Sequence, residues 1–425
     1  MEWLITGVVF LVLQYWIWKS SFFKAKHFPV WFSNALFAAK ALGGVALFFI
    51  YTLYYTNREQ ADIFKFYDDG ITLRHIINEN PSIGYKLFLG DLDETTLVEE
   101  AKLCNWRRPF SKTMLNENRM LIRFHTVLSF FTFGLYQLHN LLFCWLAFLG
   151  IWFITKTVSP FYSSRSAKFW AILLFFPSVV LWADGLLKES VLLFALGVVV
   201  WMASRAGFSF IRLVVILIAL LVMAYTRTIL AVIVIVALAG YWASLKVNTN
   251  RAMLGLHSML YILLIAVAIV LPKIDPLYDY FKVIARKQKY TYEEAKIMGA
   301  NSLVELPRID KRPVSVITTV PLGFFYALVQ PTPLQSHGKA IVFINGVENL
   351  LFVLLFVYLL LKIQKQEGER ARLFWFLFFI AAVYLSFIGL LVPVLGNMVR
   401  YKAVVIPVLM ASLLLLQKEQ PVLKN

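Results

Sequence analysis

Cysteine is nearly absent from this 425-residue chain: there are only two, Cys104 in a polar stretch and Cys144 in an apolar run. That placement argues against a disulfide and leaves the redox compartment unread. Also missing are the P-loop, GxSxG, HExxH and dinucleotide fingerprints. His125 and His139 have no further ligands at metal spacing, which favours interfacial structural roles over a metal. The formal net charge is +17, yet no RNA- or DNA-binding motif accompanies it, so nucleic acid is not an expected partner. The apolar stretches do not alternate with polar residues as barrel strands do.

What is abundant is apolar length. The chain is 60% hydrophobic, with a mean hydropathy of +0.72. Soluble domains hold about 45–50% apolar residues, so the excess points to lipid as the solvent. Several runs approach the roughly 20 helical residues that cross a hydrocarbon core of about 30 Å. In lipid, helices satisfy their own backbone hydrogen bonds. The expected fold is therefore all-α, a polytopic transmembrane bundle forming one integral membrane domain over 1–425. About eleven spans are expected, at 3–18, 35–56, 137–155, 167–183, 187–204, 209–225, 228–246, 253–272, 340–362, 372–391 and 400–417. The first run lacks a basic leader and a small-residue cleavage site, so it reads as a retained helix. The stretch 121–134 is interrupted by Arg123, His125 and Gly134 and reads as interfacial or re-entrant.

Lysine and arginine in short loops set the orientation. They recur at alternate turns: Lys19, Lys24 and Lys26; Lys156, Arg165 and Lys168; Arg205 and Arg212; Lys246 and Arg251; Lys362, Lys365, Arg370 and Arg372; Lys418 and Lys424. Placing these in the cytoplasm puts the N-terminus outside and the C-terminus inside. The long polar segments 57–120 and 273–339 then form two extracytoplasmic loops. Both contain aromatic residues, which argues against disorder.

Four constellations carry potential chemistry. Asp62, Asp68 and Asp69 open the first polar segment. A carboxylate there suits a general base, and a pair suits a divalent cation. On a helix, Asp62 and Asp69 share a face; Asp62, nearest the membrane, is the preferred base. The bland alternative for Asp68-Asp69-Gly70 is a solvated turn. Next, Asp184 and Lys188 are four apart between two spans and suit an ion pair; alternatively, Lys188 contacts a substrate phosphate. Third, Arg227 and Glu348 are ionisable groups inside apolar runs, functional by default unless they pair as a lock. Last, Arg400 and Lys402 suit phosphate binding or snorkelling to headgroups. The basic run Arg286-Lys287-Gln288-Lys289 reads as a solvated helix face.

Several pieces resemble polytopic bacterial envelope-polysaccharide proteins of the GT-C glycosyltransferase and polysaccharide-polymerase type. They are the stretch 62–70 after an early span, the segment 176–189, Pro331-Thr332-Pro333 followed by Glu348, and the segment 396–402. The resemblance covers layout more than residues. It implies a polyprenyl-phosphate-linked donor, an outer-face site on the cytoplasmic membrane and an inverting transfer. In that family an acid of the first outer loop is the base, and Asp62 matches best. Here an extra span precedes that acid, and clear paired metal-binding acids are missing, so the resemblance fixes no metal. In polymerases, arginines of two outer loops serve, and Arg286, Arg308 and Arg312 are available.

The leading expectation is thus a membrane glycosyltransferase on lipid-linked sugars, with Asp62, Asp68, Asp69 and Glu348 catalytic. Lys188, Arg227, Arg400 and Lys402 would bind phosphate. A repeat-unit polymerase is the near alternative. A transporter or flippase for a lipid-linked glycan is a second class, although no symmetry between halves is visible. A non-catalytic scaffold among other polysaccharide-assembly proteins is a third.

Overall fold

A computed structural model describes residues 1–53, 58, 61–106, 117–207, 209–300, 302–336 and 340–417. Lys418 and Lys424 of the charge pattern lie outside the described residues. In chain order, the first helices are α1 (Glu2–Lys19), α2 (Phe32–Leu53), α3 (Asp62–Glu79), α4 (Pro81–Leu89), α5 (Leu97–Ala101), α6 (Glu117–Thr132) and α7 (Tyr136–Val158). There follow α8 (Ser164–Leu174), α9 (Pro177–Leu181), α10 (Lys188–Ala203), α11 (Phe210–Ala243), α12 (Asn250–Ile274) and α13 (Tyr280–Ile297). The chain closes with α14 (Pro313–Val329), α15 (Ala340–Leu361), α16 (Gly368–Leu391) and α17 (Leu395–Leu415). No strand occurs among the described residues; Leu303 and Val394 form an isolated bridge.

The protein is all-helical, and its apolar helices suit a lipid bilayer. Seven of the described helices are long and apolar enough to cross a membrane: α2, α7, α11, α12, α15, α16 and α17. Three differences from the expected spans have local causes. The run 167–183 is two helices, α8 and α9, because the chain turns at Phe175 and Phe176 before Pro177, and proline begins helices readily. The runs 209–225 and 228–246, together α11, are two helical stretches that meet at Arg227, whose backbone is not helical (φ −149°, ψ 79°). Within 273–339 lies the apolar helix α14, whose 17 residues fall short of the roughly 20 that cross a bilayer.

The chain divides into two compact units. The first contains 1–155 and 183–228. In it α3 packs on α4 and α6, bringing part of the first polar segment against the stretch 121–134. Asn80 caps α4 ahead of Pro81, and Gly90 ends it in the left-handed region (φ 86°). α7 and α10 cross closely: a Cβ at Gly197 would lie 2.2 Å from the Gly150 carbonyl oxygen. α10 is buried on nearly every side.

The second unit contains 156–182 and 229–425. α16 lies at its centre, packed on α14 and α17. Gly323 and Gly389 allow the α14–α16 approach, since a Cβ at Gly389 would meet the Gly323 carbonyl oxygen at 2.0 Å. α17 is buried along almost its whole length.

Candidate functional site

In the first unit, the residues 183–189 are all buried. The stretch 182–187 is not helical, and Gly185 is left-handed (φ 67°). Buried non-helical backbone carries polar groups that need partners. Ser190 donates to the Gly185 carbonyl at 2.8 Å. Three charged side chains leave this segment for three different elements.

Asp184 accepts from Lys40 of α2 through both oxygens, at 3.1 Å each, and both side chains are fully buried. The expected Asp184–Lys188 pair is therefore not formed. Its spacing argument assumed helix, and the backbone from 182 to 187 is irregular. Lys188 instead donates to Asn118 Oδ1 at 3.3 Å, with its ammonium 4.7 Å from the Phe66 ring centre. Glu189 faces Arg227 at 3.6 Å. Arg227 thus sits at the break in α11 beside a carboxylate of its own unit. The alternative of an Arg227–Glu348 lock gives way to Arg227–Glu189.

The three aspartates of α3 diverge. Asp62 begins the helix and pairs with Lys65. Asp68 turns outward to a two-pronged pair with exposed Arg58, at 2.7 and 2.9 Å. Asp69 turns inward, is buried, and accepts from the Asn105 backbone N–H at 2.7 Å. Burial pushes the Asp69 carboxyl up to about 6, although hydrogen bonds from Asn105 pull the other way. Asp68 and Asp69 therefore do not converge on a shared cation. Among the described residues, no three His, Cys, Asp or Glu side chains gather closely enough to hold a metal.

Asp69 is also the end of a polar chain. Its partner Asn105 accepts, through its carbonyl, from Asn118 Nδ2 at 3.3 Å. Asn118 in turn accepts from Lys188. An acid and a buried ammonium are thus linked through two asparagines. His125 and His139 are buried nearby in sequence and bond each other at 3.2 Å, with Thr132 at 3.0 Å from His139.

The second unit gathers another set. Glu348 is buried in α15 and accepts from the Ser178 backbone at 3.0 Å and from its hydroxyl at 2.5 Å. Neighbouring Asn349 donates to the carbonyls of Leu328 and Val329 at 3.1 and 2.7 Å. Lys402 of α17 donates to Asn349 Oδ1 and the Gln330 carbonyl, both at 2.6 Å. Gly346 lets the Thr332-Pro333 backbone lie directly on α15. Glu348, Asn349 and Lys402 are therefore brought together around the C-terminal end of α14. Arg400 is buried in the same helix as Lys402. Of the arginines considered for a polymerase, Arg286 and Arg308 are exposed, and Arg312 pairs with Asp310 at 2.6 Å.

Comparison of the chain with family models, with curated proteins and with solved structures finds no match.

The candidate site therefore rests on geometry. Sequence reasoning missed Lys40, Glu189, Asn105, Asn118, Ser178 and Asn349. Lys40 had a signal, since it is a cation inside the apolar run 35–56, where charge is costly. Glu189 had a weaker one at the start of 187–204. The asparagines and Ser178 had none, because neutral polar residues are common in loops and helix ends.

Proposed function

We propose that this protein is an integral membrane glycosyltransferase that uses a polyprenyl-phosphate-linked sugar in bacterial envelope polysaccharide assembly. The observation that carries this reading is the chain Asp69–Asn105–Asn118–Lys188. It couples a carboxyl tuned to about 6 with a buried cation. A general base works best with a pKa near the operating pH. Asp69 takes the proton of an acceptor hydroxyl as the acceptor oxygen attacks the anomeric carbon. The bond from that carbon to the carrier phosphate breaks, and its electron pair leaves with the phosphate. The Lys188 ammonium offsets the charge that develops there. Asp69 replaces Asp62 as base, because Asp62 is paired with Lys65 at the start of α3.

The topology that serves this reading keeps both polar segments on the outer face, with about eleven crossings overall. α14 bears on it. Its end, at Leu328 and Val329, bonds Asn349, nine residues into α15, or roughly 13 Å along the helix. Pro333 then rests on Gly346, nearer the start of α15. These contacts support reading α14 as a re-entrant helix, a reading that keeps residues 310 and 340 on one side and preserves the cytoplasmic charge pattern.

The test compares Asp69→Asn with Asp62→Asn in isolated membranes supplied with a polyprenyl-linked sugar and acceptor. Asp69→Asn should lower transfer by about 10²–10⁴-fold while the protein accumulates normally. Asp62→Asn should keep most of the activity. Full transfer by Asp69→Asn overturns the assignment.

A second reading, transport of a lipid-linked glycan, is favoured by one observation. The break of α11 at Arg227 and the irregular 182–187 stretch are interruptions of the kind that line transporter sites. Uptake into sealed vesicles without a covalent product would select this reading.

A further inference from the structure

The basic run at 286–289 takes no part in either reading above, yet α13, which carries it, is held in a defined place. α13 begins six residues after the end of α12, a span in which only Met253 and His257 are buried. Apart from the side that packs on α16, the surface of α12 is thus left to lipid. The middle of α13 is fixed to the end of a second span, α16. Gln288 donates to the Leu390 carbonyl at 2.7 Å and to the Pro307 carbonyl at 2.8 Å, and accepts from the Ile309 N–H at 3.1 Å. Thr291 donates to the Leu391 carbonyl at 3.0 Å. Leu390 and Leu391 close α16, where carbonyls lack partners within the helix. The ends of two adjacent spans mark one bilayer surface, and α13 runs along it.

The sequence of α13 suits that position. Phe281, Gln288 and Ala295, seven apart, form its buried stripe. The opposite side exposes Val283, Arg286, Lys287, Tyr290 and Ile297, with Lys289 beside them. Exposed Tyr278 and Tyr280 precede them. Apolar and aromatic residues interleaved with cations are the composition of a helix lying in a headgroup layer. α13 carries five lysines and arginines against two glutamates, of which Glu293 lies 3.7 Å from Lys289.

We infer that α13 is an interfacial helix that binds the anionic headgroups of phospholipids surrounding α12, through Arg286, Lys287 and Lys289. The occupant is lipid because the site lies at the mouth of a lipid-exposed span and because its tyrosines and aliphatic side chains are exposed beside the cations. The inference is independent of the reaction the protein performs.

Hydrogen exchange tests it on the full chain in nanodiscs, with phosphatidylcholine alone or with added phosphatidylglycerol. Amides across 280–297 should exchange several-fold more slowly with phosphatidylglycerol present. The ceiling is about fivefold in binding for each cation engaged. The slowing should fade at high salt and vanish in the combined variant Arg286→Gln, Lys287→Gln and Lys289→Gln. Equal exchange of the wild-type helix in the two lipids would overturn the inference, whether or not the variant folds. So would undiminished slowing in the variant.

Discussion

Lys40→Met should destabilise the protein by about 3–5 kcal/mol, measured as loss of the folded population on heating in detergent. The partner Asp184 is fully buried, and both its oxygens bond Lys40. Removing the ammonium leaves a carboxylate with neither water nor a counter-ion. The double variant Lys40→Met with Asp184→Leu should recover most of that loss, because two apolar side chains can replace a buried ion pair at little net cost. The double variant also separates stability from function. A purely structural pair predicts that recovered stability brings recovered activity. A working role for the pair predicts a stable protein with impaired turnover. The salt sensitivity of surface pairs is no guide here, since both groups lie beyond the reach of mobile ions.

Gly197→Ala should cost about 1–3 kcal/mol, at the upper end of that range. The added Cβ would lie 2.2 Å from the Gly150 carbonyl oxygen and 2.7 Å from its carbonyl carbon. These are backbone atoms of the facing helix, so no rotamer change relieves the contact. The helices α7 and α10 must separate. Small residues at membrane helix crossings act in this way, by letting backbones approach. Gly7→Ala provides the control, because nothing lies within 4 Å of its added Cβ. Its stability should hold or rise, since alanine favours helix over glycine. Thermal midpoints of the two variants, compared in the same detergent, check the prediction.

The long apolar helices were legible because their signal is local. The described part of the run 35–56 lies in α2, and the run 137–155 lies in α7. α14 was hidden because it is short: its 17 residues pack on α16 but fall below the roughly 20 that mark a span in sequence. The candidate site was less legible, for a physical reason. Lys40 meets a partner 144 positions away, and Glu348 meets one 170 away. No spacing rule along one helix anticipates such contacts. The spacing rule failed outright for Asp184 and Lys188, where the backbone between them is not helical. For Asp62 and Asp69 the shared face was a sound expectation, yet burial, not spacing, separates their chemistry. Asp69 meets Asn105, and Asp62 meets Lys65.

A pH profile of sugar transfer tests the role of Asp69 as base most directly. A base must be ionised to accept a proton, so the rate should climb with pH through about 6 and level off above it. The residual activity of Asp69→Asn should lack that rise. A wild-type rate that stays flat across this range, or a rise that survives in the variant, would contradict the account.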